Sequence, residues 1–406
     1  MPLVSTGLHL FMRLKVIACL ALCLFLLGGK AYSAELRFGF TGPLTGPNTF
    51  MGTQIIRGIE LGFKRINDSK KLNYQLSLIP LDDGYEPSRT PSQVATLIND
   101  YGVKAMLGSV GTPTNLASLS VLSKYDIPLI SPLTGAQSMR TERSSPFIFN
   151  TRASYTEEAY YLVNILVNDL GIKPDEVAIF AQKDSYGDAG LASVIEALTD
   201  AGLKDSASIL QIRHQRNSDE VSHSVADVLG VFPIPKAIIM VSTYDTSANF
   251  IKQLETFGIS PLFSVFSFTG LEALQANISE TKAKVLVAQT TPSLFSTQSP
   301  IIKQLKEDMA RFGDTAAPTT MQLEGYINAL IVGQALLPLK DMPTSQEIED
   351  SLKQLAKNHY DSQQQNELSV LNPKKRHIWV QFINHGELQE LLFTDTQSPV
   401  IEQETE

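Results

Sequence analysis

From Leu36 to Gln289, short apolar runs alternate with longer stretches whose apolar residues recur at helical spacing. This rhythm constrains the fold more than any other feature. Strands separated by helices must cross over, and such crossovers build parallel sheets covered on both faces. The runs Leu36–Phe40, Leu76–Leu81, 105–107, 128–130 and Phe147–Asn150 read as strands, with helices over Gln54–Asn67, Pro91–Tyr101 and 115–124. In the first helix Ile55, Ile59, Phe63 and Ile66 fall near 3.6-residue spacing and define one buried face. The rhythm then restarts. Strands Val177–Ala181, Ser208–Ile212, Ala237–Val241 and Leu262–Phe266 alternate with helices Glu157–Leu170, Gly190–Ala201, Val221–Leu229 and Ala248–Phe257. Two such sets predict an α/β chain of two doubly wound, Rossmann-like lobes.

After Val285–Gln289 the pattern changes. Helices are expected near 300–312, 319–337 and 344–357, then a polar loop at Ser362–Asn366. His377–Ile383, the turn Asn384-His385-Gly386 and Glu387–Phe393 read as a β-hairpin. Residues 394–406 read as a flexible acidic tail.

The N-terminus has the layout of a secretory signal peptide over residues 1–33. Arg13 and Lys15 precede the apolar run Val16–Leu27, and Ala31 and Ser33 supply the small residues of a cleavage site. That run is shorter than the roughly 20 residues a spanning helix needs. Both cysteines, Cys19 and Cys23, lie inside it, so the exported chain is expected to carry no disulfide and no thiolate metal site. With the three basic residues of the leader set aside, the net charge is near −12, and the longest basic tract is Lys374-Lys375-Arg376. Such a chain is a poor partner for nucleic acid.

Candidate functional residues follow the strands. Gly108–Ala117 (GSVGTPTNLA) and Ser131–Arg152 (SPLTGAQSMRTERSSPFIFNTR) each begin at the end of an apolar run and break into small and hydroxylated residues. The carboxyl ends of parallel strands have this character where they line a crevice for a polar ligand. Ser109, Thr112, Thr114, Ser131 and Thr134 offer hydroxyls, alongside free backbone N–H groups. Thr112 and Thr134 fit either ligand contact or helix capping, and the two roles are compatible. Arg152 can meet a ligand carboxylate or tie the two lobes together by an internal salt bridge. Arg140 reads as structural, and Asp82-Asp83-Gly84 as a turn rather than a calcium loop. His214 and His223 read as solvated. The chain has no GxSxG, HExxH or GxxxxGK[ST] pattern and no nucleophile beside a base, so an enzyme is not expected, nor is a cofactor or metal.

Several stretches in order, from residue 35 to 393, give the chain a family likeness: GPLTG, GTPT, SPLTGA, NTRASY (150–155), DSYGDAGL (184–191), STYDTSANFI (242–251) and the final hairpin. Together they resemble the type I periplasmic solute-binding proteins of the leucine/isoleucine/valine-binding class, in a divergent branch with RASY after SPLTGA. The resemblance implies two lobes joined by three crossovers, with ligand between them. Lobe 1 would comprise 34–151 and 284–345, and lobe 2 would comprise 152–283 and 346–393. It matches Thr112 to the hydroxyl position of the first carboxylate-holding loop and Leu133, Thr134 and Gly135 to the second, where Thr134 could supply the side chain. Tyr186 matches an aromatic of the lobe 2 wall, Tyr244 lies where another pocket tyrosine sits, and Tyr155 and Arg152 stand beside the first crossover. The chain departs from the family at three places. Met51 or Phe50 stands in for an aromatic of the first loop, Ser264–Gly270 contains no acid to meet an ammonium, and an acid near Ser154 is missing. Asp245 or Glu272 could supply the first charge. The resemblance implies a monomeric periplasmic protein that captures a small polar or amphipathic molecule, amino acid-like or another carboxylate or amide. It would deliver this to an inner-membrane ABC permease, or alternatively present it to a membrane sensor such as a receptor, kinase or cyclase.

Overall fold

The first strand, β1 (Glu35–Gly42), alternates exposed and buried residues at its start and is wholly buried from Phe38, as a central parallel strand requires. It lies between β2 (Gln75–Asp82) and β3 (Ala105–Leu107), in parallel with both. With β4 (Leu129–Ile130) and β5 (Ile148–Phe149) the order is β2-β1-β3-β4-β5. The computed structural model describes residues 34–140, 147–360 and 377–390. The expected leader with its cysteines, the 362–366 loop, the basic tract 374–376 and the acidic tail lie outside the described residues, as does the stretch 141–146 within SPLTGA–NTR.

The second sheet is built from β6 (Val177–Gln182), β7 (Gln211–His214), β8 (Ala237–Val241), β9 (Leu262–Val265), β10 (Lys284–Gln289) and the hairpin β11 (Trp379–Asn384) and β12 (Glu387–Glu390), in the order β12-β11-β10-β9-β8-β6-β7. Its strands are parallel from β7 through β10, and the last two are antiparallel. The hairpin turn uses His385 and Gly386, both at positive φ, as a two-residue turn demands.

Helices α1 (Thr49–Asp68), α2 (Thr90–Asn99) and α3 (Thr112–Lys124) belong to the first set. The second set holds α4 (Tyr155–Asn164), α5 (Ser185–Asp200), α6 (Ser222–Leu229), α7 (Tyr244–Thr256) and α8 (Leu271–Asn277). The last three are α9 (Pro300–Arg311), α10 (Thr320–Leu336) and α11 (Ser345–Tyr360). Helix α10 is buried on nearly every side, Gln322, Glu324 and Asn328 included. It meets α1 backbone to backbone. A Cβ on Gly58 would fall 2.0 Å from the Gln322 carbonyl oxygen, and one on Gly325 would fall 2.3 Å from that of Ile55. Only glycine allows this approach.

The structure differs from the sequence reading in several places. Helix α1 starts five residues earlier than expected, and α4 runs into a π-turn over Ile165–Asp169 rather than continuing to Leu170. Strand β7 begins at Gln211, because 206–208 forms a 3-10 turn capped by Asp205. The short α8 follows directly on Gly270 and carried no sequence signal of its own. The expected lobe limits also shift. Residues 284–289 pair with β9 and so lie in the second sheet, and Ser351 of α11 bonds back to Ala335 of α10, placing α11 beside the first-lobe helices. The chain therefore changes lobe near Thr151–Arg152, after Gln289, and again between α11 and β11.

Candidate ligand-binding cleft

Parallel strands bring their carboxyl ends to one edge of each sheet, and the two edges face each other. On the lobe 1 side the loops after β3 and β4 put hydroxyls in contact. Thr112 Oγ1 and Thr134 Oγ1 lie 2.7 Å apart, and Tyr155 Oη lies 3.4 Å from the former. All three residues are buried. Neither threonine caps a helix with its side chain, which was the alternative to ligand contact. Gly111 is the N-cap of α3, Thr112 is its first residue, and Thr134 Oγ1 instead accepts from the Ala136 N–H at 3.2 Å. Thr112 thus sits in a first turn whose N–H groups lack intrahelical acceptors. Ser109 Oγ accepts from the Thr41 N–H, and so ties β1 to β3 rather than standing free. Gly135 runs against the Tyr155 ring, where a Cβ would lie 2.5 Å from Cδ1, and its carbonyl accepts the Tyr155 N–H at 2.8 Å.

Lobe 2 supplies the opposite wall. Tyr186, in the first turn of α5, and Phe266 and Phe268, after β9, are fully buried. Ring centroids chain across the boundary. Tyr155 lies 5.4 Å from Tyr186 and 5.5 Å from Phe266, Tyr186 lies 4.6 Å from Phe268, and Phe268 lies 6.1 Å from Tyr85 of lobe 1. Tyr186 is therefore not at the surface. Its hydroxyl has no hydrogen-bond partner.

Beneath the rings lies a buried charge cluster. Arg152 Nη2 donates to Ser267 Oγ at 2.8 Å, and Arg152 Nε is 3.2 Å from Glu324 Oε1. Ser267 in turn donates from Oγ and from its N–H to Glu158, at 2.8 and 2.7 Å. The cluster joins the first crossover (Arg152), α4 (Glu158), the loop after β9 (Ser267) and α10 of lobe 1 (Glu324), and so realises the inter-lobe tie named above for Arg152. Burial pushes both glutamates above the usual carboxylate range, opposed by the guanidinium. Arg140 is structural in geometry, its guanidinium donating to the carbonyls of Thr134, Arg152 and Ala153.

At the outer rim the lobes meet again. Arg216 after β7 pairs with Glu86 of lobe 1 at 2.8 Å and with Asp184 at 3.2 Å. Asn217 donates to Gly84 O and Glu86 Oε1 and accepts from Asn48. Tyr244 Oη donates to the Pro47 carbonyl and accepts the Phe50 N–H, with the Phe50 ring edge-on at 5.9 Å. Tyr244 is thus a rim residue. Phe50 is half-buried against it, while Met51 is fully buried.

Comparison with known proteins decides the family. Residues 35–366 match the family model described as periplasmic binding protein. The chain belongs to the periplasmic binding protein family. A structure described as a possible leucine/isoleucine/valine-binding protein from Rhodopirellula baltica superposes with a TM-score of 0.82 at 30% identity, covering 90% of this chain and 98% of that one. A substrate-binding periplasmic protein from Ralstonia solanacearum gives 0.76 at 22% identity, over 86% and 98% of the two chains. Among curated proteins, Leu/Ile/Val-binding protein homolog 3 of Brucella melitensis is 26% identical over 192 residues, which is 47% of this chain and 51% of that protein. The chain thus spans about half the length of that curated relative.

Within this periplasmic binding protein, the residues singled out in the sequence separate into an inner group (Thr112, Thr134, Gly135, Tyr155, Tyr186, Arg152), a rim residue (Tyr244) and Ser109 behind the wall. The acids considered as replacements for the missing charge do not reach the inner group. Asp245 accepts from Asn277, and Glu272 accepts from the Thr320 N–H and hydroxyl across the lobe boundary. His214, read as solvated, is buried against Phe180 at 4.5 Å, and burial lowers its pKa to about 4. His223 is exposed. Sequence reasoning missed Tyr85, Phe266, Phe268, Glu158 and Glu324. Tyr85 was within reach, since it follows β2 as Thr112 follows β3; the glutamates lie in helices whose partners only the fold supplies.

Proposed function

We propose that this chain captures a small organic molecule between its lobes and passes it to an ABC importer of the inner membrane, acting in the periplasm without chemistry of its own. The observation that carries this reading is the convergence, at facing strand ends of two lobes, of three hydroxyls (Thr112, Thr134, Tyr155) and a run of aromatic rings. A molecule seated there touches both lobes, so its binding favours the closed arrangement by whatever contacts exist only when closed. The donors suit an oxygen-bearing head group, and the rings suit an apolar body.

The test is ligand-dependent stabilisation. Protein unfolded, stripped of small molecules and refolded is screened by thermal shift against amino acids, carboxylic acids and amides. A binder raises Tm with concentration. The Thr112→Ala variant should lose about tenfold in affinity for that binder, as expected for one hydrogen bond to a charged group. A binder whose affinity ignores Thr112→Ala places its site elsewhere. Delivery is tested separately, by stimulation of ATP hydrolysis in a reconstituted cognate importer.

A further inference from the structure

The inner cleft has spent its acids and kept spare donors. Both oxygens of Glu158 accept from Ser267. Glu324 faces Arg152 with one oxygen and takes the Thr290 hydroxyl on the other at 3.4 Å. Asp184 accepts from Gln182, Arg216 and the N–H groups of Tyr186 and Gly187. Glu86 is taken by Arg216 and Asn217. Each of these carboxylates is already committed to protein donors.

The donor side is different. Arg152 Nη1 and Tyr186 Oη are both buried without a hydrogen-bond partner. Arg152 is close enough to Tyr155 and Tyr186 to feel both hydroxyls electrostatically. Thr112, Thr134 and Tyr155 add three hydroxyls in mutual contact. The free acceptor in the aromatic wall, Gln182 Oε1, is a neutral amide oxygen. An ammonium placed among these groups would lose its water and, among the described residues, meet no free carboxylate, which is the costly case for a buried charge. An oxygen acceptor would meet donors that are otherwise unsatisfied.

We propose that this cleft selects organic acids or amides that carry no ammonium group, with Tyr186 Oη and Arg152 Nη1 as specificity-determining donors to the ligand's oxygens. The inference rests on the cleft being the ligand site, as proposed above.

The experiment uses matched probes on the stripped, refolded protein by titration calorimetry: leucine against 4-methylpentanoate, phenylalanine against 3-phenylpropanoate, the corresponding amides, and choline as a cation suited to an aromatic cage. The expected result is binding of at least one desamino acid or amide on the order of 100-fold tighter than its amino-acid counterpart. Tyr186→Phe removes only an unpartnered hydroxyl. It should weaken that probe about tenfold while leaving the Tm of the free protein unchanged or raised. A drop in Tm with unchanged affinity would make Tyr186 a packing residue and overturn its assigned role. An amino acid binding as tightly as its desamino partner, or choline binding where the acids do not, overturns the selectivity and leaves the cleft reading standing. If no probe binds, the cleft reading falls and the selectivity falls with it.

Discussion

The lobes of this protein touch in two places that differ in kind. On the hinge side, Arg152, Glu158, Ser267 and Glu324 form a buried ionic cluster with direct contacts of 2.7–3.2 Å. At the rim, Arg216, Glu86, Asn217 and Tyr244 make contacts of similar length, but the Arg216 and Glu86 side chains keep 24% and 37% of their exposure. Geometry alone would rank the two contacts equally. The medium separates them, because water screens the rim pair and not the inner one. The inner contact is therefore expected to cost more to break than the rim contact.

The largest expected effect breaks the inner contact. Arg152→Ala strands two buried carboxylates and should cost about 3–5 kcal/mol in urea unfolding. A loss below about 1 kcal/mol would show the cluster to be hydrated like the rim.

Two titrating groups behind the rim give the next effect. Asp83 is buried behind Tyr85, accepting its N–H and the Thr90 hydroxyl, and burial pushes its pKa up to about 6 from 3.8. The folded form therefore binds the proton more tightly, so stability falls as pH rises from about 4 to 6. His214, stacked on Phe180, moves the opposite way, from 6.5 to about 4. Here the unfolded chain binds the proton more tightly, so stability rises with pH over nearly the same window. Each contribution is about 3 kcal/mol, and the two offset. In the wild-type protein the two contributions oppose each other, so removing either one tilts the stability curve. Asp83→Asn should make it fall on acidification and His214→Gln should make it rise, read by Tm against pH. Parallel curves for all three proteins would refute both assignments.

The smallest effect tests the rim contact. Arg216→Ala should change unfolding stability by no more than about 1 kcal/mol. It should nevertheless raise the radius of gyration of the free protein in X-ray scattering and speed ligand release. An unchanged radius together with a large stability loss would invert the comparison and make the rim the structural contact.

Much of the fold was legible because burial on both sheet faces writes itself into continuous apolar runs such as Ala237–Val241, whose strand limits match the sequence reading. Helix starts were less legible. The first turn of α1, Thr49-Phe50-Met51, has no capping side chain and no acid to announce it. The hydroxyl loops could be found from sequence because they follow strands. The inner ion cluster could not, since Glu158 and Glu324 are 166 positions apart and each looks like an ordinary helix-surface acid until the lobes meet. The chain's change of lobe after Gln289 was hidden for a similar reason: an apolar run shows that a strand is buried, not which sheet receives it.

The glycine contact between α1 and α10 sets an order of events during synthesis. Gly58 and Gly325 meet across more than two hundred and sixty residues of chain, and α10 makes the most extensive packing against α1. A nascent chain that has not yet reached residue 336 holds every strand of its first sheet and still lacks the helix that packs most closely on α1.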